Sequence, residues 1–247
     1  MNRHLRRLLE MERLFGADFL PVAARRGAEE RKDAGAAPAR PRAAGAARPK
    51  AAARPAPAPA PSWPPEFLEL REKVLTCAKC GLSQGRTQAV FGVGPPDAAL
   101  MFVGEAPGEE EDRQGEPFVG RAGQLLTRTL DKVGVPRGRV YIANILKCRP
   151  PGNRTPQFDE MAACMPYLLK QVQAIRPRIL CALGNVAAQA LLNNKKGITQ
   201  LRGRYFEAHG VKVFPAFHPA YVLRNPGEKG LFETDIRKAC ADAGLLR

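Results

Sequence analysis

The sequence has 247 residues, a hydrophobic content of 45% and a net charge of +15. The length is enough for one large domain plus a tail or for two small domains, and the apolar content allows a sizeable core. No apolar run approaches the ~18 residues of a membrane-spanning helix, so we expect no membrane contact. The excess of basic over acidic residues favours a polyanionic partner, above all nucleic acid.

The first 62 residues form a basic extension. Leucines at helical spacing in residues 1–20 predict a short amphipathic helix, and the Ala-, Pro- and Arg-rich composition from about residue 22 predicts a disordered linker. The extension holds 13 Lys or Arg and 6 Asp or Glu, a net charge of +7, which leaves +8 on the remainder. The predicted nucleic-acid contact therefore does not depend on the extension, which could instead recruit a protein partner.

The cell compartment is predicted from the N-terminus and the cysteines together. Charged residues run through the first 20 residues, unlike a secretory signal. The Arg-rich, amphipathic character leaves an organelle transit peptide as an alternative, against which Glu10, Glu12 and Asp18 count. Six cysteines without such a signal favour a reducing compartment, where clustered cysteines bind metal more often than they form disulfides. We therefore expect a cytoplasmic, nucleoid-associated protein.

Residues 63–247 predict one compact α/β domain. Strands are predicted at residues 98–103, 139–145, 178–183, 205–208 and 211–217. Helices are predicted at residues 66–75, 122–133, 156–175, 184–192 and 231–245. Because strands and helices alternate, we expect a mainly parallel sheet with helices on both faces.

Two glycine-rich loops follow the first predicted strand. The first is Gly-Glu-Ala-Pro-Gly at residues 104–108, and the second is Pro-Phe-Val-Gly-Arg-Ala-Gly at residues 117–123. In α/β proteins, ligands bind outside the carboxyl ends of strands, on loops of this kind. An ordinary strand–turn–helix connection explains the same pattern. The acidic run at residues 109–112 predicts a solvated loop or helix face, with contact of one acid with the site as the alternative.

Four cysteines are candidate metal ligands: Cys77, Cys80, Cys148 and Cys164. The first two form a Cys-x-x-Cys pair, whose thiolates lie on one turn at a spacing that a metal can bridge. The spacing leaves zinc, an iron–sulfur cluster and four unrelated buried cysteines as alternatives. Cys181 and Cys240 lie in an apolar strand and in the last helix, and we expect both to be core residues.

Five motifs in this order resemble the type 4 uracil-DNA glycosylases, the iron–sulfur members of the uracil-DNA glycosylase superfamily. They are the two glycine-rich loops, Tyr-Ile-Ala-Asn at residues 141–144, the four cysteines, and His-Pro-Ala-Tyr-Val-Leu-Arg at residues 218–224. The resemblance spans residues 75–246 and omits the extension. It implies a three-layer α/β/α domain, a [4Fe–4S] cluster on the four cysteines, and hydrolytic release of uracil from DNA, which leaves an abasic site.

The resemblance also implies roles for individual residues. The catalytic residues would be Glu105 and His218. The uracil-binding residues would be Gly104, Ala106, Phe118 and Asn144. Residues 221–224, predicted as a loop, would enter the gap left by the flipped base, and the DNA contacts would come from Tyr221, Leu223 and Arg224.

The chemistry of these side chains fits those roles. The Asn144 amide can donate to uracil O4 and accept from N3–H, whereas cytosine presents the opposite pattern. His218 can donate to O2 of the departing base, and Phe118 can stack on the ring. Two roles stay open for Glu105: it orients the attacking water, or it lines the pocket beside C5 and excludes thymine.

Three alternatives to the type 4 family fit the sequence less well. Type 5 relatives carry an apolar residue where Glu105 stands, so the chain departs from them. A subgroup that captures uracil-DNA covalently uses a histidine in a basic loop, whereas residues 193–199 contain no histidine. A non-catalytic iron–sulfur DNA-binding module would not need Glu105, Asn144 and His218 together. We therefore predict a glycosylase, and we expect it to be monomeric.

Overall fold

The computed structural model describes residues 63–246. The helix and linker predicted for residues 1–62 lie outside the described residues. Within the described part the strands are β1 (Leu100–Gly104), β2 (Tyr141–Asn144), β3 (Ile179–Leu183), β4 (Phe206–Ala208) and β5 (Val211–Ala216). The helices are α1 (Pro65–Leu75), α2 (Glu109–Gln114), α3 (Arg121–Lys132), α4 (Phe158–Ile175), α5 (Asn185–Leu192), α6 (Ile198–Leu201), α7 (Pro219–Arg224) and α8 (Lys229–Asp242).

The five strands form one sheet in the order β2-β1-β3-β5-β4. All neighbouring pairs are parallel except β4 and β5, which form an antiparallel hairpin at one edge. The sheet order reverses direction beside β1, which pairs with both β2 and β3. The carboxyl ends of the four parallel strands therefore meet along one edge of the sheet, the usual place for a site in this class.

Helices cover both faces of the sheet, because successive strand residues point to opposite sides. In β1, Met101 and Val103 pack in one core layer with residues of α1, α4 and α5. Leu100 and Phe102 pack in the opposite layer with residues of α3 and α8. The predicted three-layer α/β/α domain with a mainly parallel sheet is therefore confirmed.

The structure differs from the sequence prediction mainly in short helices near the sheet edge. The acidic run begins α2 and is not simply a solvated segment: Asp112 is buried, and both of its carboxylate oxygens accept from the Thr87 N–H at 3.0 Å.

The segment 221–224 was predicted as a loop, which is wrong, because it forms the end of α7. Proline at the first turn favours a helix there, and Val222 turns into the core.

None of the helices between residues 63 and 246 is both long and apolar enough to span a bilayer.

Candidate active site

A cleft of about 560 Å³ lies at the carboxyl ends of the parallel strands. Its walls come from the loops after β1, β2, β3 and β5 and from α7. The predicted site residues that line it are Glu105, Ala106, Phe118, Asn144, His218, Tyr221 and Arg224. Gly104 lies behind this wall, and Leu223 points elsewhere. The fold thus brings most of the predicted residues together although the chain separates them widely.

Gly104 leaves room for the Phe118 ring and the Asn144 amide to lie close together at the cleft. A Cβ at this position would lie 2.5 Å from Asn144 Oδ1 and 2.5 Å from Cζ of Phe118, so only glycine fits. The register of the sheet pairs Gly104 with Asn144 directly. Phe118 itself has a left-handed backbone with φ of 55°, and its carbonyl packs where a Cβ of Gly123 would stand. The two glycine-rich loops therefore fix the position of the Phe118 ring.

Asn144 ends β2 with its side chain turned into the cleft. The residue is 2% exposed, and its Oδ1 is the single buried side-chain nitrogen or oxygen of residues 63–246 without a hydrogen-bond partner. A buried amide oxygen left unpaired costs free energy, so such an atom indicates a place for a ligand donor. The site is therefore built to accept a hydrogen bond from a molecule in the cleft.

His218 precedes α7 and acts as its N-cap. Its Nδ1 accepts from the Ala220 N–H at 3.1 Å, so the proton of the neutral ring lies on Nε2. Burial, reinforced by the positive charge of Arg224, lowers the pKa of His218 to about 4. The imidazole is therefore neutral near pH 7 and offers one N–H donor. Its ring centre lies 5.7 Å from that of Phe118.

Glu105 stands in the mouth of the cleft, directly after β1. Its backbone carbonyl accepts from the Leu146 N–H at 3.0 Å, which fixes the turn against the segment after β2. Burial raises the pKa of its carboxyl above the usual value. The side chain is partly exposed, so it can reach both a ligand and water in the cleft.

Glu111 lines the cleft and is the acid of the run 109–112 that contacts the site. Its Oε1 accepts from the backbone N–H groups of Val119 and Gly120, each at 2.9 Å, and its Oε2 accepts from the Gly108 N–H at 3.1 Å. One carboxylate thus ties the two glycine-rich loops together. Its position three residues after Gly108, at the start of a helix, resembles a capping box and was the available signal.

Comparison with known proteins adds to this geometry. A model of the uracil DNA glycosylase superfamily matches residues 91–243. A type-4 uracil-DNA glycosylase of Thermotoga maritima is 47% identical over 179 residues, covering 70% of this chain and 93% of the relative. The type-4 enzyme of Sulfurisphaera tokodaii is 44% identical and covers 69% and 81%.

This chain belongs to the type 4 uracil-DNA glycosylase family. A type-5 uracil-DNA glycosylase of Pyrobaculum aerophilum is 34% identical, over 62% of this chain and 76% of the relative. The resemblance inferred from the five motifs is confirmed.

The predicted DNA contacts of this family member lie on α7 and point in different directions. Tyr221 and Arg224 line the cleft, whereas Leu223 is exposed to 36% beside it. Val222 is buried at 2% exposure, so the helix offers no continuous apolar wedge. The three predicted DNA contacts are thus an aromatic residue, a leucine and an arginine on one short helix.

The four candidate cysteine ligands lie around one small cavity between α1 and α4. Arg86 donates to Sγ of Cys148 at 3.0 Å, and Tyr167 donates to Sγ of Cys77 at 3.4 Å. Donors aimed at sulfur suit thiolates, which carry negative charge. In the described part of the chain, no three His, Cys, Asp or Glu side chains are close enough to hold a single metal ion. Cys181 and Cys240 are core residues, as predicted.

Replacing Glu111 with alanine is expected to destabilise the site region. The three N–H groups of the two loops would lose a charged acceptor, so the free energy of unfolding should fall by about 2 kcal/mol. Denaturant unfolding measures this, with Glu110→Ala as the control, because Glu110 is an exposed neighbour whose bonds go to side chains of its own helix. An equal effect of both substitutions would show that Glu111 does not hold the loops.

Proposed function

We propose that the chain releases uracil from DNA by hydrolysing the N-glycosidic bond, as a base-excision repair enzyme. The observation that carries this function is the unpaired Oδ1 of Asn144 at the base of the cleft, beside Phe118 and His218. A duplex hides the bond to be broken, so the nucleotide is flipped into the cleft before reaction.

The cleft recognises uracil by stacking and by hydrogen bonding. Phe118 stacks on the flipped ring, an interaction of about 1–3 kcal/mol per base. Oδ1 of Asn144 accepts from N3–H, and the amide nitrogen donates to O4. Cytosine has an acceptor at N3 and a donor at C4, so both bonds would be lost and the buried oxygen would stay unpaired. The turn at residues 104–106 contacts the base through its backbone, with Ala106 lining the cleft and Gly104 behind it.

Bond breakage leaves positive charge on the sugar and negative charge on uracil. The Nε2–H of His218 donates to O2, where the negative charge develops, and stabilises the leaving group without transferring a proton. Glu105 faces the same space and orients the attacking water. The alternative role of the same carboxyl is to exclude the methyl group of thymine. Release of thymine by Glu105→Ala would identify this second role.

The function is tested with a uracil-containing oligonucleotide that is incubated with the full chain and then cleaved with alkali. The expected result is strand breakage at uracil alone, without added metal or nucleotide. Tight DNA binding with no breakage would instead identify a non-catalytic DNA-binding module.

DNA binding beyond the flipped base involves Tyr221, Leu223 and Arg224. Tyr221 and Arg224 lie at the cleft mouth, where an aromatic ring supports the neighbouring base and a guanidinium pairs with a phosphate. Leu223 is the exposed apolar residue that fills the gap left by the flipped base. The net charge of +8 on residues 63–247 attracts the DNA backbone.

The protein acts as a monomer in the cytoplasm, at the nucleoid.

The cysteine site is proposed to hold a [4Fe–4S] cluster on Cys77, Cys80, Cys148 and Cys164. Four cysteines around one cavity are the ligand set that such a cluster would use. The four cysteines would hold the cluster, which would supply a structural tie. The cysteines themselves come from the segment after α1, the segment after β2 and α4, so the tie joins three parts of the chain.

The purified protein is expected to be yellow-brown and to contain about four iron atoms per chain. Cys77→Ala should lower the iron content, the unfolding temperature and the solubility, because one cluster ligand is lost. Cys240→Ala is the matched control, since this buried cysteine lies in the other core layer. One zinc and no iron in the wild-type protein would contradict the cluster.

Residues 1–62 are proposed to add DNA affinity or to recruit a partner without taking part in the chemistry. Their removal should leave the single-turnover cleavage rate unchanged. It should also make binding less dependent on salt, because a net charge of +7 is removed. The slope of affinity against salt concentration measures the effect. Loss of cleavage in a folded truncated protein would place the extension in the site.

A further inference from the structure

A buried lysine lies directly behind the base-reading asparagine. Lys147 is 1% exposed, and its three ammonium hydrogens have three oxygen acceptors. Nζ donates to the Asn144 carbonyl at 3.0 Å, to the Phe91 carbonyl at 3.2 Å and to Oε1 of Gln171 at 2.7 Å. These acceptors belong to three separate parts of the fold: the end of β2, the segment before β1, and α4.

The network continues to the start of β2. Gln171 is fully buried, and its Nε2 donates to the Phe91 carbonyl at 2.9 Å and to Oη of Tyr141 at 3.1 Å. Those two bonds fix the orientation of the amide, so that its oxygen points to Lys147. Both ends of β2, Tyr141 and Asn144, are thereby held by one pair of buried side chains.

Burying Lys147 costs free energy, so we expect this residue to have a role that offsets the cost. Burying an ammonium group is unfavourable, and the hydrogen bonds of Lys147 go to neutral oxygens and not to a carboxylate, although its side chain also lines the cavity of Cys148 and Cys164. A methionine would fill the same space without that cost. What a lysine adds is three directed donors, and one of them fixes the Asn144 peptide group from which the base-reading side chain extends.

We infer that Lys147, supported by Gln171, is a positioning residue for uracil recognition. It holds the Asn144 peptide so that Oδ1 and the amide nitrogen meet N3–H and O4 of the flipped base. Neither Lys147 nor Gln171 lines the cleft, so neither touches the substrate. The inference rests on the proposed function. Its physical basis is that a misplacement of about 1 Å in a positioned group can lower a rate by about 10²-fold.

Lys147→Met tests the inference in the full-length protein. We expect the single-turnover rate of uracil release to fall by about 10- to 100-fold, and inhibition by free uracil to weaken about tenfold. Binding to an oligonucleotide with an abasic-site analogue should stay unchanged, because that ligand has no base to read. A purely structural role would weaken abasic-site binding as well. Ile236→Ala, a core substitution on α8, is the control for general destabilisation and should retain the rate.

Gln171→Met is the second variant, because Lys147 precedes Cys148 and its substitution could also disturb that cysteine. Gln171→Met should lower the rate and weaken uracil inhibition in the same direction, by a smaller factor, with the iron content of the wild type. If Lys147→Met fails to fold or loses iron, the result for Gln171→Met is the test. A wild-type rate and wild-type uracil inhibition in Gln171→Met would then overturn the inference. An inactive wild-type protein would overturn the proposed function instead, whereas an active wild type with unchanged variants overturns only the role of Lys147.

Discussion

His218→Ala is expected to lower the single-turnover rate of uracil release by ~10²–10³, the usual effect of removing one donor to a developing negative charge. The Nε2–H bond strengthens as the charge moves onto the base, so the transition state loses more than the ground state does. Binding to uracil-DNA should therefore change much less than the rate. Rapid-quench cleavage assays and equilibrium binding measure the two effects separately.

His209→Asn is the matched control for this substitution. His209 lies in the turn between β4 and β5, away from the cleft, and has a φ of 55°, which asparagine tolerates. The control should cleave at the wild-type rate. A wild-type rate in His218→Ala would show that the loop backbone or another side chain stabilises the leaving group.

The pH profile tests the neutral state of His218. Because its pKa in the folded protein is about 4, the rate should not rise as the pH falls from 8 to 5, as it would for a required imidazolium. Glu105→Gln should be measured in parallel, since burial raises the pKa of the Glu105 carboxyl, whereas it lowers the pKa of His218. The unfolded chain binds a proton near pH 6.5, so the His218 contribution to stability is present above that pH and is lost towards pH 4.

Asn144→Ala is expected to lower the rate on uracil by about 10²-fold and to reduce discrimination against cytosine. The amide supplies both bonds to the pairing edge, and its Oδ1 has no other partner in the described structure. Removing it eliminates the unpaired oxygen that makes cytosine unfavourable. Competition by cytosine-containing and uracil-containing oligonucleotides measures discrimination, and single-turnover cleavage measures the rate.

Asn194→Ala provides the comparison for Asn144→Ala. Asn194 lies on a surface turn, where its Oδ1 already accepts from the Lys196 N–H at 2.8 Å. Neither rate nor discrimination should change in this variant. Full discrimination in Asn144→Ala would mean that the backbone of the loop at residues 104–108 reads the base.

Much of this protein could be predicted from the residues alone. The alternation of apolar strands and amphipathic helices predicts an α/β sheet covered on both faces, since side-chain periods of 2 and 3.6 are local properties. The helices at residues 156–175 and 231–245 were therefore predicted to within a few residues. Short helices such as α7 were missed, because six residues carry too little periodicity to distinguish a helix from a loop.

The sequence by itself determined which chemical groups are present and in what order: an acid in a glycine turn, an aromatic residue, an asparagine at a strand end and a histidine before proline. Only the tertiary structure decided how they meet. The parallel register of β1 and β2 places Gly104 beside Asn144, and it leaves the Asn144 oxygen buried without a partner. The bonds of Glu111 and Lys147 to backbone groups also depend on this packing, because almost every residue carries the same backbone N–H and C=O groups and the sequence does not show which of them a side chain reaches.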